Sequence, residues 1–182
     1  AANAKLRGLR HVLQGETDDA YMLRPDFERG VRALTRRGLA YDVLIFERHL
    51  PNAVIFADRH PDATLIVDHV AKPRIAAGEL EPWAKNIREL ARRPHVACKL
   101  SGMVTEANVR TWTPESLRPY FEVVLEAFGP GRILFGTDWP VCLAACGYAR
   151  WKATVEAWIA PLSPSERAAI LGDNAVRLYR LP

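Results

Sequence analysis

Short apolar, β-branched runs alternate along the chain with longer segments in which apolar residues return every three or four positions. A continuous apolar run reads as a strand covered on both faces, and the three-to-four spacing reads as a helix with one buried stripe. Strands are therefore expected at 6–13, 40–46, 64–70, 96–100 and 132–135. Helices are expected at 25–37, 48–60, 81–93, 114–128 and 148–159. In the first helix Phe27, Val31 and Leu34 fall on one face, Pro25 and Asp26 suit the opening turn, and Gly38 suits the end. Ser163-Pro164-Ser165-Glu166 forms a capping box, which predicts a helix stopping at Gly172 and then a short terminal helix over 173–181.

This order predicts an α/β class with a parallel sheet. The unit spacing suits either an open doubly wound sheet or part of a (β/α)8 barrel, and composition does not choose between them. No linker or low-complexity tract divides residues 1–182, so one domain is expected.

With 49% hydrophobic and 25% charged residues, the 182-residue chain has the make-up of a soluble globular protein, which excludes collagen, coiled coil and disorder. No apolar stretch approaches the roughly 18 to 20 residues that cross a bilayer, and the first residues lack a secretory layout. A cytoplasmic location without membrane partners is expected. The 25 Lys and Arg exceed 21 Asp and Glu, for a net charge of +4. Asp26 and Glu28 interrupt the densest basic run, 24–37, and no aromatic pattern accompanies it; it reads as a solvated helix face, with no nucleic-acid partner. Cys98, Cys142 and Cys146 are an odd set without a completing His or Cys pair, so they read as reduced, small buried side chains.

Candidate chemistry gathers at the carboxyl ends of the strands, where parallel α/β folds keep their functional groups. The third strand runs into Asp68, His69 and Lys72, and the fifth into Gly136-Thr137-Asp138-Trp139-Pro140. The fourth ends in Lys99-Leu100-Ser101-Gly102, the second carries Asp42 and Glu47, and the first carries His11 and Gln14. An imidazole can polarise a carbonyl or hold a divalent metal that does so, and a carboxylate opposite can take a proton from water. That pairing suits hydrolysis of an ester, lactone or amide. Each residue also has a plainer reading: His69 as a core histidine, Asp138 as a cap, Lys99 as the partner of a buried carboxylate, Ser101 as a turn former. His11 stands between substrate contact and packing. His49, His60 and His95 read as surface residues. No G-x-G-x-x-G after a strand, no P-loop and no G-x-S-x-G occurs, so dinucleotide, nucleotide and serine-hydrolase readings lack their loops.

The stretches 66–73, 98–107 and 134–141, with the tail 172–179, resemble the amidohydrolase superfamily in its sugar-lactonase branch, among proteins like L-fuconolactonase. Gly136-Thr137-Asp138-Trp139-Pro140 is the most specific of these matches. The resemblance implies a (β/α)8 barrel whose fourth through eighth strands are present, with the front units and their H-x-H pair missing. It implies catalytic roles for Asp138, as general base, and His69, in carbonyl polarisation or metal binding. His11, Lys72, Lys99 and Trp139 would line a sugar-lactone pocket. One divalent metal, zinc by preference, would meet His69 and Asp138 as an incomplete set, and a metal-independent route is the alternative. A small-molecule sugar lactone is the expected partner, and an oligomer is compatible with the resemblance. A non-catalytic sugar-acid-binding or assembly fragment and a metal-dependent decarboxylase remain as alternative readings.

Overall fold

Each of the five apolar runs forms a strand: β1 (Gly8–Val12), β2 (Ala40–Leu44), β3 (Leu65–Val67), β4 (Val96–Leu100) and β5 (Ile133–Phe135). The computed structural model describes residue 3 and residues 5–182. All neighbouring pairs are parallel, in the order β1-β2-β3-β4-β5. This is an α/β fold with a five-stranded parallel sheet, consistent with part of a (β/α)8 barrel.

Alternation along the strands sorts side chains between two faces. Tyr41, Val43, Leu65, Val67, Val96, Cys98, Leu100 and Ile133 belong to the main core. That core is closed by α1 (Pro25–Thr35), α2 (Leu50–Arg59), α3 (Trp83–Ala91), α5 (Pro114–Phe128) and α6 (Tyr148–Ile159), through residues such as Val31, Phe56, Ile87, Phe121 and Trp151. This is the helical face. The inner face carries a much smaller apolar cluster, Ala40, Ile66, Ala97 and Leu134, against Ala175, Leu178 and Tyr179 of α8 (Asn174–Tyr179). α5 begins where Thr113 Oγ1 accepts from the Ser116 backbone N–H with proline next to the cap.

Three expectations need correction. α7 (Pro164–Ala168) opens on the capping box, but the chain does not stop at Gly172: a π turn over Ala169–Asp173 carries it directly into α8. The side chain of Asn174 fixes this path by donating to the carbonyls of Pro130 and Ile133, both at 2.8 Å. A short helix, α4 (Met103–Glu106), follows β4 and adds to the helices read from the sequence. His49 and His60 are buried, not on the surface. Nδ1 of His49 accepts from the backbone N–H of Phe46 at 3.1 Å, and the His60 ring packs 4.7 Å from the Phe56 ring centroid. His95 is half-buried and reaches the Ala57 carbonyl.

Candidate active site

The segment after β3 is locally unusual. His69, Val70, Ala71 and Lys72 all have left-handed backbone, with φ of 51°, 48°, 57° and 49°. For residues with a Cβ, and for a β-branched valine above all, this conformation costs about 1–2 kcal/mol each. It persists because the surroundings hold it: residues 68–71 are buried, and the Trp83 indole N–H donates to the Val70 carbonyl at 2.7 Å. The turn swings the His69 ring toward the end of β4. There Gly102, at φ +67°, leaves the room the ring needs, since a Cβ on it would stand 2.7 Å from the Cβ of His69.

The end of β5 is pinned in a similar way. The Trp151 indole N–H donates to the Gly136 carbonyl at 2.7 Å, and Asp138 takes left-handed backbone at φ 59°. An aspartate tolerates that conformation better than most residues. The result is that Asp138 Oδ1 lies 3.4 Å from His69 Nε2, although the two are 69 positions apart in sequence. On the other side of the ring, His69 Nδ1 is hydrogen-bonded to Ser101 Oγ at 2.7 Å. Burial pushes the imidazole below its ordinary value, so the ring favours its neutral form.

Lys72 also reaches this rim. Its Nζ pairs with Glu106 Oε1 at 3.3 Å and lies 5.6 Å from the Phe46 ring centroid. Burial raises the Glu106 carboxyl, and the nearby charges of Asp138 and Glu47 push the same way against Lys72. Trp139, beside Asp138, is 68% exposed.

Lys99 lies deeper, on the inner face, and the plainer reading describes its contacts. Its Nζ stands 2.6 Å from Asp42 Oδ2 and 2.7 Å from Asp68 Oδ1. Arg10 Nη1 donates to the other oxygen of Asp68 at 3.0 Å, and the Tyr179 hydroxyl donates to Asp42 at 2.5 Å. Burial alone would lower the Lys99 ammonium, but Asp68 and Asp42 outweigh it and the net shift is upward. Lys99 is thus a fixed cation between two carboxylates.

The structure does not bring His11 to the rim. It pairs in register with Val43, a helical-face residue, so its ring points among the helices, stacked 5.4 Å from Tyr21 and bonded to Glu16 at 2.6 Å. Its neighbour Arg10 has the opposite parity and faces inward. Glu106, Arg10 and the bridging role of Asp68 were not singled out from the sequence; for Arg10 the available signal was its place one position from His11, on the other face of β1, whereas Glu106 lies in the four-residue α4.

His69 and Asp138 could give two donor atoms to a metal. A zinc ion takes three or four protein ligands, and no group of three His, Cys, Asp or Glu side chains able to hold an ion occurs among the described residues. Among the described residues, His69 and Asp138 thus fall short of the donors such an ion takes.

The amidohydrolase family model matches residues 1–181. The chain belongs to this family. It is 45% identical over 189 residues to an L-fucono-1,5-lactonase of Burkholderia multivorans, an alignment covering 98% of this chain and 64% of that protein. It is 40% identical to an L-fucono-1,5-lactonase of Burkholderia ambifaria, covering 100% and 63%. A crystal structure of an amidohydrolase from Burkholderia multivorans with bound zinc superposes with a TM-score of 0.93 at 45% identity, covering 100% of this chain and 67% of that one. The chain thus spans a little under two thirds of the length of these curated relatives. Among the described residues no helix is long and apolar enough to cross a membrane.

Proposed function

We propose that this chain hydrolyses a sugar lactone, with its five strands standing as the fourth through eighth of a (β/α)8 barrel and residues 1–182 acting as one domain. The observation that carries the reading is the 3.4 Å approach of His69 Nε2 to Asp138 Oδ1 on one rim. The 45% and 40% identical relatives named as L-fucono-1,5-lactonases support a sugar lactone as the substrate class.

In this reading Asp138 takes a proton from water while the water oxygen attacks the lactone carbonyl carbon. His69 faces the carbonyl oxygen and polarises it as negative charge develops there. When the tetrahedral intermediate collapses, the ring C–O bond breaks and the leaving oxygen takes its proton back from Asp138. The products are a free hydroxyl and a carboxylic acid, which ionises and releases one proton. Lys72, held near the rim by Glu106, adds positive charge close to the forming carboxylate. The exposed indole of Trp139 offers a flat apolar surface to the sugar ring. A divalent ion such as zinc would meet His69 and Asp138 first and would supply Lewis-acid polarisation of the carbonyl. Lys99 is committed to Asp42 and Asp68, and its part is to organise the floor below the substrate.

The test is acid release from L-fucono-1,5-lactone, followed with a pH indicator against buffer alone. The chain is expected to accelerate it, and Asp138→Asn to lower the rate at least about a hundredfold. Parental rates in the Asn variant, or no rate above buffer for the chain itself, would overturn the proposal.

A further inference from the structure

Ser101 is the residue in contact with His69 that the hydrolytic steps leave unused. Its side chain is 1% exposed, and among the described residues the only hydrogen-bond partner of its hydroxyl is His69 Nδ1, at 2.7 Å. A neutral imidazole carries its proton on one nitrogen only, and that choice is set by the partner of the other. Were the proton on Nδ1, the ring would donate to Ser101 Oγ and the serine hydroxyl would be left buried with no acceptor. An unmet buried donor is costly, whereas a serine that donates to Nδ1 leaves nothing unmet on that side. On the opposite side Nε2 lies 3.4 Å from a carboxylate oxygen of Asp138, a group that can accept a hydrogen bond but cannot donate one.

We infer that Ser101 is a positioning residue: its hydroxyl donates to His69 Nδ1 and holds the neutral ring with its proton on Nε2, aimed at the mouth. His69 then presents a hydrogen-bond donor to the rim, not a lone pair. The inference rests on the proposed lactone hydrolysis for its functional meaning, since a donor at Nε2 is what a carbonyl oxygen gaining negative charge needs. It also separates two uses of the same ring, because an imidazole that binds a metal through Nε2 must carry its proton on Nδ1. Two glycines leave room for the pair: a Cβ on Gly136 would meet Ser101 Cβ at 3.2 Å, and one on Gly102 would meet His69 Cβ at 2.7 Å.

The experiment is long-range 15N–1H NMR of the histidine-labelled chain at a pH where His69 is neutral, with its signals assigned by their loss in His69→Gln. The expected spectrum shows Nε2 in the protonated range and Nδ1 in the unprotonated range. In Ser101→Ala the two nitrogens should move toward intermediate values as the tautomers mix, while Ser101→Thr, which keeps the hydroxyl, should restore the parental pattern. A parental spectrum with the proton on Nδ1 would overturn the inference, as would an unchanged tautomer in Ser101→Ala. Kinetics separate this from the parent proposal: Ser101→Ala should lower kcat for the lactone about tenfold with KM little changed. A chain with the expected spectrum but no hydrolysis refutes the lactonase reading and leaves the tautomer standing, whereas hydrolysis with the wrong tautomer does the reverse.

Discussion

The two faces of the sheet solve different problems with the same strands. On the helical face β2 presents Tyr41 and Val43 to a core that five helices close; one position along, on the inner face, the same strand presents Asp42, which faces Lys99 and Tyr179. The first face is held by burial of apolar area, a term that adds over many residues and tolerates changes that keep volume. The second is held by a few charges whose partners are specific, Arg10 to Asp68 to Lys99 to Asp42, so each removal leaves a group unmatched. The lesson is that stability is spread across one face while the chemistry depends on a handful of atoms at the rim of the other.

Breaking the helical face should give the largest loss of stability with no loss of mechanism. Phe56 is fully buried among Phe27, Tyr41 and His60, and Phe56→Ala should cost about 3–5 kcal/mol in urea unfolding. Hydrolysis per folded molecule should stay near the parental value, and a selective loss of kcat would contradict the division of labour. On the inner face, Asp68→Ala removes a fully buried carboxylate from beside Arg10 and Lys99, at a cost of about 3 kcal/mol by the same measurement. Gly102→Ala should cost about 1–3 kcal/mol, because it adds a Cβ in left-handed backbone and against His69. Unlike Phe56→Ala, it should also depress turnover of the molecules that remain folded.

The smallest effect is a pH dependence on the helical face. Burial lowers the His60 imidazole from its ordinary 6.5, against the pull of Glu28. A base depressed in the folded state binds its proton more readily when unfolded, so stability is fully present above pH 6.5 and is lost as pH falls through that value toward the folded one. His60→Phe should flatten the stability profile over that window. A profile as steep in the variant as in the parent would assign the acid sensitivity elsewhere.

How much was legible in the chain follows the same division. The apolar run that becomes β3 is continuous and those that become β2 and β4 are broken only by Asp42 and Lys99, so strand and class could be read directly, and Ser163 announced its helix through capping chemistry. Parity was not legible on β1, whose Gly-Leu-Arg-His-Val carries no alternation: His11 was a candidate for the pocket, yet Arg10 is the residue that faces inward. α4 is four residues long, too short to show a helical period, so Glu106 had no local signal. Gly172 reads as a stop because glycine is a poor helix former, but the π turn and the hold of Asn174 on β5 override it. The meeting of His69 with Asp138 depended on both turns being left-handed, which no local propensity predicts.

His69 and Asp138 are expected to act as one unit. A double-mutant cycle on kcat/KM for L-fucono-1,5-lactone, with His69→Gln, Asp138→Asn and the combined variant, measures that directly. Each single change is expected to lower kcat/KM about a hundredfold, and the pair should be no slower than the poorer single variant. Two losses that multiply, to about ten-thousandfold, would mean that the imidazole and the carboxylate work independently and that their approach across the rim has no mechanistic meaning.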